Sequence, residues 1–515
     1  CALPISPEDP RRAAAFRNFE ANLRDILRAG LNSGAKVILN TMSVNLKDCP
    51  PFASLANSNR PAADRARFDE LYAAGLAQEK AGDDLSAART FEQAATLDAN
   101  FAELQYRWAD CLRRATNAAA RAHYQLACDV DALPFRADRH INGIIRRIGD
   151  EFADRGLVLS DAESELANAS PAGTPGDEVF FEHVHFNFRG NYLLGRLWAE
   201  QVARLLPAAV TATNTQTWAS QETCERDLGL TLWNRGFVLD VVMGRMQRPP
   251  LSQQFNNAAR LADLQAQVNL IRQQQAQTNA AVRCIEELMG AMNRAPRDGF
   301  LFEGMANLLE ALNDKRQAAR AYERLRELWP HDFYSNLQLG RLRGDLGQPA
   351  EGETLLREAA RQRPSVADVW KELGDICLKQ KKYPEALEAY QRAAKLQPRE
   401  AAHVAYLAAA LAETYMTPLA PHCTCSELGL SASLHATLAT PLFLIHEAYL
   451  DGHLMPPGVA RPSYTINADG NALPPTAPGL GVEVDETMFE KVNADPKRQF
   501  KWPHPTYQDG SVRDY

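Results

Sequence analysis

One interval constrains the C-terminal half of this chain more than any other feature: 34 residues. It separates Pro330 from Pro364 and Pro364 from Pro398, Ala318 from Gly352 and Gly352 from Ala386, and Gly340 from Gly374. A fixed period of this length means that one supersecondary unit recurs, each copy burying its apolar face only against its neighbours. The residue types describe the unit. Small side chains let two helices approach closely, large ones fill the next groove, and proline ends the second helix. The rhythm predicts a stacked helical solenoid over residues 296–412.

The fullest copy, "ADVWKELGDICLKQKKYPEALEAYQRAAKLQPRE", holds Trp370, Leu373, Gly374, Ala386, Tyr390, Ala393 and Pro398. It resembles the tetratricopeptide repeat family. That resemblance implies a curved array whose concave face takes a protein or peptide partner. Weaker copies occur earlier. Ala74, Gly75, Ala87, Phe91 and Ala94, then Trp108, Ala109, Tyr124 and Ala127, give tetratricopeptide-like helices inserted at 61–133.

The insertion interrupts a different pattern. Phe16, Phe19, Leu23, Ile26 and Leu27 lie at helical spacing, with Gly34 as a stop. "AKVILNT" then reads as a buried strand, and "RGLVLSDAE", 155–163, as a second. From Arg189 to Leu206 an amphipathic helix gathers Leu193, Leu194, Leu197, Trp198, Val202 and Leu205 on one side. Residues 1–60 and 134–207 therefore read as part of an α/β domain. Residues 208–295, polar and glutamine-rich, read as a helical connector without chemistry. The expected fold class is mainly α with an incomplete α/β part.

Composition narrows the function. A net charge of −8 argues against a nucleic-acid surface. No apolar run is long enough to span a bilayer. Nine cysteines, odd in number and irregular in spacing, argue against a disulfide framework and favour a reducing, cytoplasmic setting. The chain begins with Cys1, so an N-terminal truncation that hides any signal segment is expected.

The candidate site is "FFEHVHFNFRGNYLLGR", 180–196. As metal ligands, His183 and His185 would share a strand face while Glu182 pointed away, so no metal site is assigned. As a polar loop before a helix, the residues would have no further role. As a carboxylate three residues before a histidine, they would give an imidazole base and the acid that orients it. The block "EHVHFNFRGNYLLGR" resembles the last conserved block of the SGNH (GDSL) hydrolases, D-x-x-H before a glycine and an amphipathic helix. Glu182 stands for the aspartate and His185 for the histidine, and Asn187, Gly190 and Tyr192 fit the rest of the block; the glutamate departs from the pattern. "VILNTMSVNLKDCPPFASL" is similar to a strand and loop of forms carrying inserted tetratricopeptide repeats. The resemblance implies a partial three-layer α/β domain whose serine nucleophile and oxyanion blocks lie upstream of residue 1. Ser43 and Asn45 are considered for those roles and declined.

After about residue 412 the rhythm stops and proline, glycine and histidine rise. "PHCTC", with His422, Cys423 and Cys425, is too sparse for a four-ligand metal site. "LAETYMTPLAPHCTCSELGLSASLHATLATPLFLIHEAYLDG", "PGLGVEVDE" and "WPHPTYQDGSVRDY" resemble the C-terminal end of enolase-superfamily sugar-acid dehydratases, of the galactonate and mannonate type. The resemblance makes 413–515 a (β/α) barrel fragment, His422 an acid/base group and Glu447 a substrate-facing carboxylate. It implies Mg²⁺ only if the earlier barrel strands were present, so His422 and Glu447 are expected to be inert remnants and no cofactor is assigned. Three functions are open: an SGNH-like ester hydrolase or acyl transferase, incomplete as given; a non-catalytic interaction protein; and a sugar-acid dehydratase represented only by its end. A fusion or a faulty joining of reading frames would explain the switch near residue 412.

Overall fold

The computed structural model describes residues 4–57, 60–207, 210, 217–397 and 406–407, and the backbone of four short strands beyond them. The chain divides into two compact units, Cys1–Gly304 and Met305–Tyr515. Among the described residues no helix is long and apolar enough to cross a membrane. The chain is mostly helical with little sheet.

The first unit opens with α1 (Pro10–Asn32), capped by Asp9 and begun by a proline whose missing N–H costs nothing there. The chain turns through Gly34 at φ 84°, a conformation glycine adopts freely, into β1 (Val37–Asn40). Four helices come next: α2 (Ala62–Lys80), α3 (Asp84–Ala95), α4 (Ala102–Arg114) and α5 (Ala120–Asp129). Then come α6 (Arg139–Phe152), β2 (Leu157–Ser160), α7 (Ala162–Asn168) and α8 (Phe188–Leu205). β2 runs parallel to β1, pairing Val37 with Leu157 and Asn40 with Ser160. Alternation puts Val37, Leu39, Leu157 and Leu159 on one face. There they pack with Leu27 and Phe19 of α1 and with Ile144, Ile145 and Ile148 of α6. Both strands thus lie where the apolar runs predict them. The expected three-layer domain is represented among the described residues by this one parallel pair.

The 61–133 insertion does pack as helical hairpins. A Cβ on Gly75 would lie 2.4 Å from Phe91, so the small residue is required where α2 meets α3. The unit continues with α9 (Gln221–Asp227), α10 (Leu232–Met246), α11 (Asn257–Gln275) and α12 (Ala280–Arg294). Leu239, Val242, Met246, Leu264 and Val268 of α10 and α11 form a core that also takes in Phe52 and Phe181. The stretch expected to be a bare connector therefore packs on both loops of the candidate site. α8 departs from its helical pattern in a different way. Leu197 is buried, but Trp198 and Val202, expected on the same apolar side, are exposed.

Helix α13 (Gly299–Ala311) runs into the second unit, whose helices are α14 (Lys315–Leu328), α15 (Phe333–Asp345), α16 (Pro349–Gln362), α17 (Ala367–Lys379) and α18 (Tyr383–Leu396). The period is visible as packing. Gly340 faces Leu356 and Gly374 faces Tyr390, and a Cβ at either glycine would approach to 2.7 and 2.6 Å. Tyr322 and Tyr390 are fully buried, their hydroxyls donating to Asn307 Oδ1 (2.7 Å) and Asp375 Oδ1 (2.6 Å). Further on, β3 (His422–Cys423) pairs parallel with β4 (Glu447–Ala448), and β5 (Ala460–Pro462) antiparallel with β6 (Val482–Val484). Pro398, Cys425, and the side chains of His422 and Glu447 lie outside the described residues.

Candidate functional site

The site is assembled by two loops of the first unit. The first leaves the C-terminal end of β1, the end at which open α/β sheets place their ligands. Thr41, Ser43, Val44, Asn45 and Leu46 are buried, Met42 is exposed, and hydrogen bonds pin the loop along its length. Thr41 Oγ1 donates to Asp161 (2.8 Å), and Asn142 exchanges two hydrogen bonds of 2.8 Å with the backbone of Met42. Arg136, itself buried, donates to the carbonyls of Asn45 (2.8 Å) and Cys49 (2.6 Å) and pairs with buried Asp131 at 3.4 Å. Asp131 in turn accepts the N–H groups of Phe52, Ala53 and Leu133.

The second loop is a tight turn rather than a strand. Phe181 N–H donates to His185 O (2.8 Å), Phe180 bridges Phe186, and their rings stack at 4.7 Å. Asn187 caps α8 by accepting Gly190 N–H at 2.9 Å. Gly190 is dictated by proximity, since a Cβ there would sit 2.1 Å from the carbonyl oxygen of Val179. Glu182 to His185 therefore occupy the tip of a turn held at its base.

Asn45 joins the two loops. It is fully buried and uses every polar group: its N–H donates to His183 O (2.9 Å), and its Nδ2 to Glu182 O (2.8 Å) and Asp177 Oδ1 (2.7 Å). Its Oδ1 accepts Asp48 N–H (2.9 Å). Neither nucleophile nor oxyanion donor, Asn45 is a buried crosslink. Behind it, Arg260 of α11 donates to Asp177 Oδ1 (2.8 Å) and Phe181 O (3.3 Å), while Asn256 Nδ2 reaches Asp48 O (3.0 Å).

On this frame the Glu182 carboxylate has no exposed surface. Oε1 meets Nδ1 of His185; Oε2 meets Nδ1 of His183 and also accepts the N–H groups of His183 and of Val184, the latter at 3.1 Å. Burial pushes the carboxyl upward in pKa. The hydrogen bond and charge of His183, the Val184 N–H and the charge of His185 outweigh it and hold the group at about 2. An anionic carboxylate accepts only, so each imidazole donates to it through Nδ1–H, and a ring in its neutral form keeps Nε2 as an acceptor. The His185 side chain is 52% exposed and that of His183 19%, the latter edge-on to Phe52 at 5.4 Å.

The expectation that Glu182 points away from the histidines is corrected. In a turn, adjacent side chains need not alternate, and the donor atoms of Glu182, His183 and His185 lie within 4.8 Å of one another. Each Nδ1 is engaged directly by the carboxylate, so the set is a hydrogen-bonded bridge. A nucleophile does not join it: Ser43 Oγ is buried without a hydrogen-bond partner, and among the described residues no hydroxyl or thiol hydrogen-bonds to either imidazole. Asp177, Arg260 and Arg136 were not foreseen. Arg136 and Arg260 reach the site only through the fold, and Asp177, five residues before Glu182, carries no motif of its own. For His422 and Glu447 the structure shows one relation: their backbones are register partners in the β3–β4 ladder.

Two classes of known protein match parts of the chain. Residues 337–401 match the tetratricopeptide repeat family, and residues 404–488 the enolase C-terminal domain-like family. The chain thus contains a tetratricopeptide part and an enolase-like part. Among individual proteins, the D-galactonate dehydratase of Xanthomonas oryzae pv. oryzae (strain PXO99A) is 32% identical over 115 residues, 21% of this chain and 29% of that protein. A D-galactonate dehydratase family member of Streptomyces bingchenggensis is 39% identical over 109 residues, 21% of this chain and 25% of that protein. The chain therefore spans less than a third of the length of these relatives. Among solved structures, MamA (residues 41 to the end) from Desulfovibrio magneticus RS-1 covers 29% of this chain and 84% of that one, at 18% identity and TM-score 0.27. YrrB, described as a tetratricopeptide protein with an unusual peptide-binding site, covers 34% and 85% at 18% identity and TM-score 0.24.

Proposed function

We propose that the first unit carries the proton-handling half of an SGNH-like ester hydrolase or acyl transferase, with His185 as general base and Glu182 as its orienter. One observation carries this reading: a buried, anionic carboxylate holds His185 through Nδ1 and leaves Nε2 open on a half-exposed ring. Nε2 so presented takes the proton of a hydroxyl or water as that oxygen attacks an acyl carbon, and the carboxylate stabilises the imidazolium that forms. Ser43 does not serve as that hydroxyl in this arrangement. Initial rates with p-nitrophenyl acetate test the assignment. His185→Ala is expected to remove the protein-dependent rate and Glu182→Gln to lower it by about 100-fold or more. An unchanged rate in His185→Ala would overturn it.

A second reading concerns the repeats, favoured by the family match at 337–401. Stacked helix pairs of this kind present an extended surface to a protein or peptide partner. Capture of a partner that is lost when Arg341 and Lys371 are reversed to glutamate supports this function, and capture indifferent to the reversal opposes it.

A third reading, a Mg²⁺-dependent sugar-acid dehydratase, rests on the 404–488 match and on the dehydratase relatives. The matched relatives contribute only 25–29% of their length to the alignment. The carboxylates that hold the metal in such barrels belong to earlier strands, so no catalytic step is assigned to His422 or Glu447. Incubation of the chain with D-galactonate and Mg²⁺ is expected to release no keto acid.

A further inference from the structure

The objection to a metal at Glu182, His183 and His185 is geometric, and the fold removes it. A strand would turn the acid away from the imidazoles; the turn brings all three donors within 4.8 Å of one another. Two imidazoles and a carboxylate, with a fourth position left to water, are a zinc ligand set with bonds of about 2.0–2.2 Å. A tetrahedral ion spaces neighbouring ligand atoms roughly 3.4 Å apart, a spread that the span of these three side chains accommodates.

The three residues are also held as ligands need to be. The Glu182 carbonyl accepts Asn45 Nδ2 (2.8 Å), the His183 carbonyl accepts Asn45 N–H (2.9 Å), and the His185 carbonyl accepts Phe181 N–H (2.8 Å). The backbone of each ligand is thus fixed before an ion arrives. The N–H groups of His183 and Val184 both meet Glu182 Oε2, the kind of outer hydrogen bond that orients ligating carboxylates. His183 packs edge-on to Phe52, and the half-exposed ring of His185 gives an ion a path from solvent. The guanidinium groups behind the turn are already paired, Arg136 with Asp131 and Arg260 with Asp177.

We propose that Glu182, His183 and His185 form a site for a zinc-like divalent cation, bound through the carboxylate and both Nδ1 atoms, and that the bound ion silences His185 as a base. The second part follows from tautomers. A neutral imidazole that ligates through Nδ1 carries its proton on Nε2. The proton of each ring moves from Nδ1 to Nε2, none is gained or lost, and the nitrogen that accepted a proton becomes a donor. The binding stands without the hydrolase reading; the silencing rests on it.

Zinc titration against a chromophoric chelator tests the site, in a Cys423→Ser, Cys425→Ser background so that thiols of the tail do not compete. The chain is expected to bind zinc. His183→Ala and His185→Ala are each expected to weaken that binding by about 100-fold or more, the upper end of what losing even a supporting partner costs. His140→Ala, exposed on α6, is expected to leave it unchanged. Nitrogen-15 NMR needs no ligand variant: zinc is expected to shift Nδ1 of both rings and to place their protons on Nε2. Hydrolysis of p-nitrophenyl acetate is expected to fall to the uncatalysed rate as zinc saturates and to return with excess EDTA. A chain that binds zinc in this way yet shows no esterase rate after EDTA supports the site and contradicts the hydrolase reading alone. Zinc affinity indifferent to both histidine variants, coordination through Nε2, or full ester turnover at saturating zinc would overturn the proposal.

Discussion

The loop pair around Asn45 and the repeats around Gly374 are both well packed, but by opposite means. In the repeats, a glycine and an aromatic or leucine 16 residues apart meet directly, as Gly340 with Leu356 and Gly374 with Tyr390. The contacts are local and apolar. Around Asn45 the contacts are polar and distant: Arg136, Asp177, Glu182 and Arg260 converge on the two loops. Local apolar packing yields a periodic, tolerant array. Long-range polar packing yields one specific geometry and leaves an imidazole nitrogen open.

The sharpest way to break this contrast is to remove one member from each side. Arg136→Met leaves Asp131 buried and unpaired and strips two loop carbonyls of their donor. Urea unfolding is expected to show a loss of about 3–5 kcal/mol. Gly374→Val drives a side chain into Tyr390 and is expected to cost about 1–3 kcal/mol. If the repeat variant proves the more damaging, the contrast fails.

Acid sharpens the same comparison. A carboxyl held at about 2 in the folded state, against an ordinary 4.5, stabilises the fold fully above pH 4.5 and loses that contribution as pH falls toward 2. Between those limits, proton uptake on unfolding is expected in the native chain and is reduced in Glu182→Gln, as read by the slope of unfolding free energy against pH. The smallest effect is expected in the repeats. Asp345 bridges Lys315 (2.8 Å) and Lys379 (2.9 Å), both half-exposed. Asp345→Ala is expected to cost about 1 kcal/mol or less, and less still at high salt.

The contrast also explains what was legible in the sequence. Pro330, Pro364, Gly340 and Gly374 could be read because a solenoid writes its packing at a fixed interval. Both strands could be read as short apolar runs, and Gly34 as a stop. The Glu182–His185 pairing was legible from spacing. The sharing of Glu182 with His183 was not, because alternation holds for strands and this segment is a turn. Arg260 sits on a glutamine-rich helix with no motif, and only the fold brings it to Asp177. Trp198 and Val202 carried an apolar signal that the described residues do not bury.

The catalytic reading of the first unit rests on Glu182 fixing the tautomer of His185. Nitrogen-15 NMR of the imidazoles at about pH 8, where a histidine of ordinary pKa is neutral, tests this directly. The proton is expected on Nδ1 of His185, with Nε2 bare, and is expected to redistribute in Glu182→Gln. A wild-type ring protonated on Nε2 would contradict that reading.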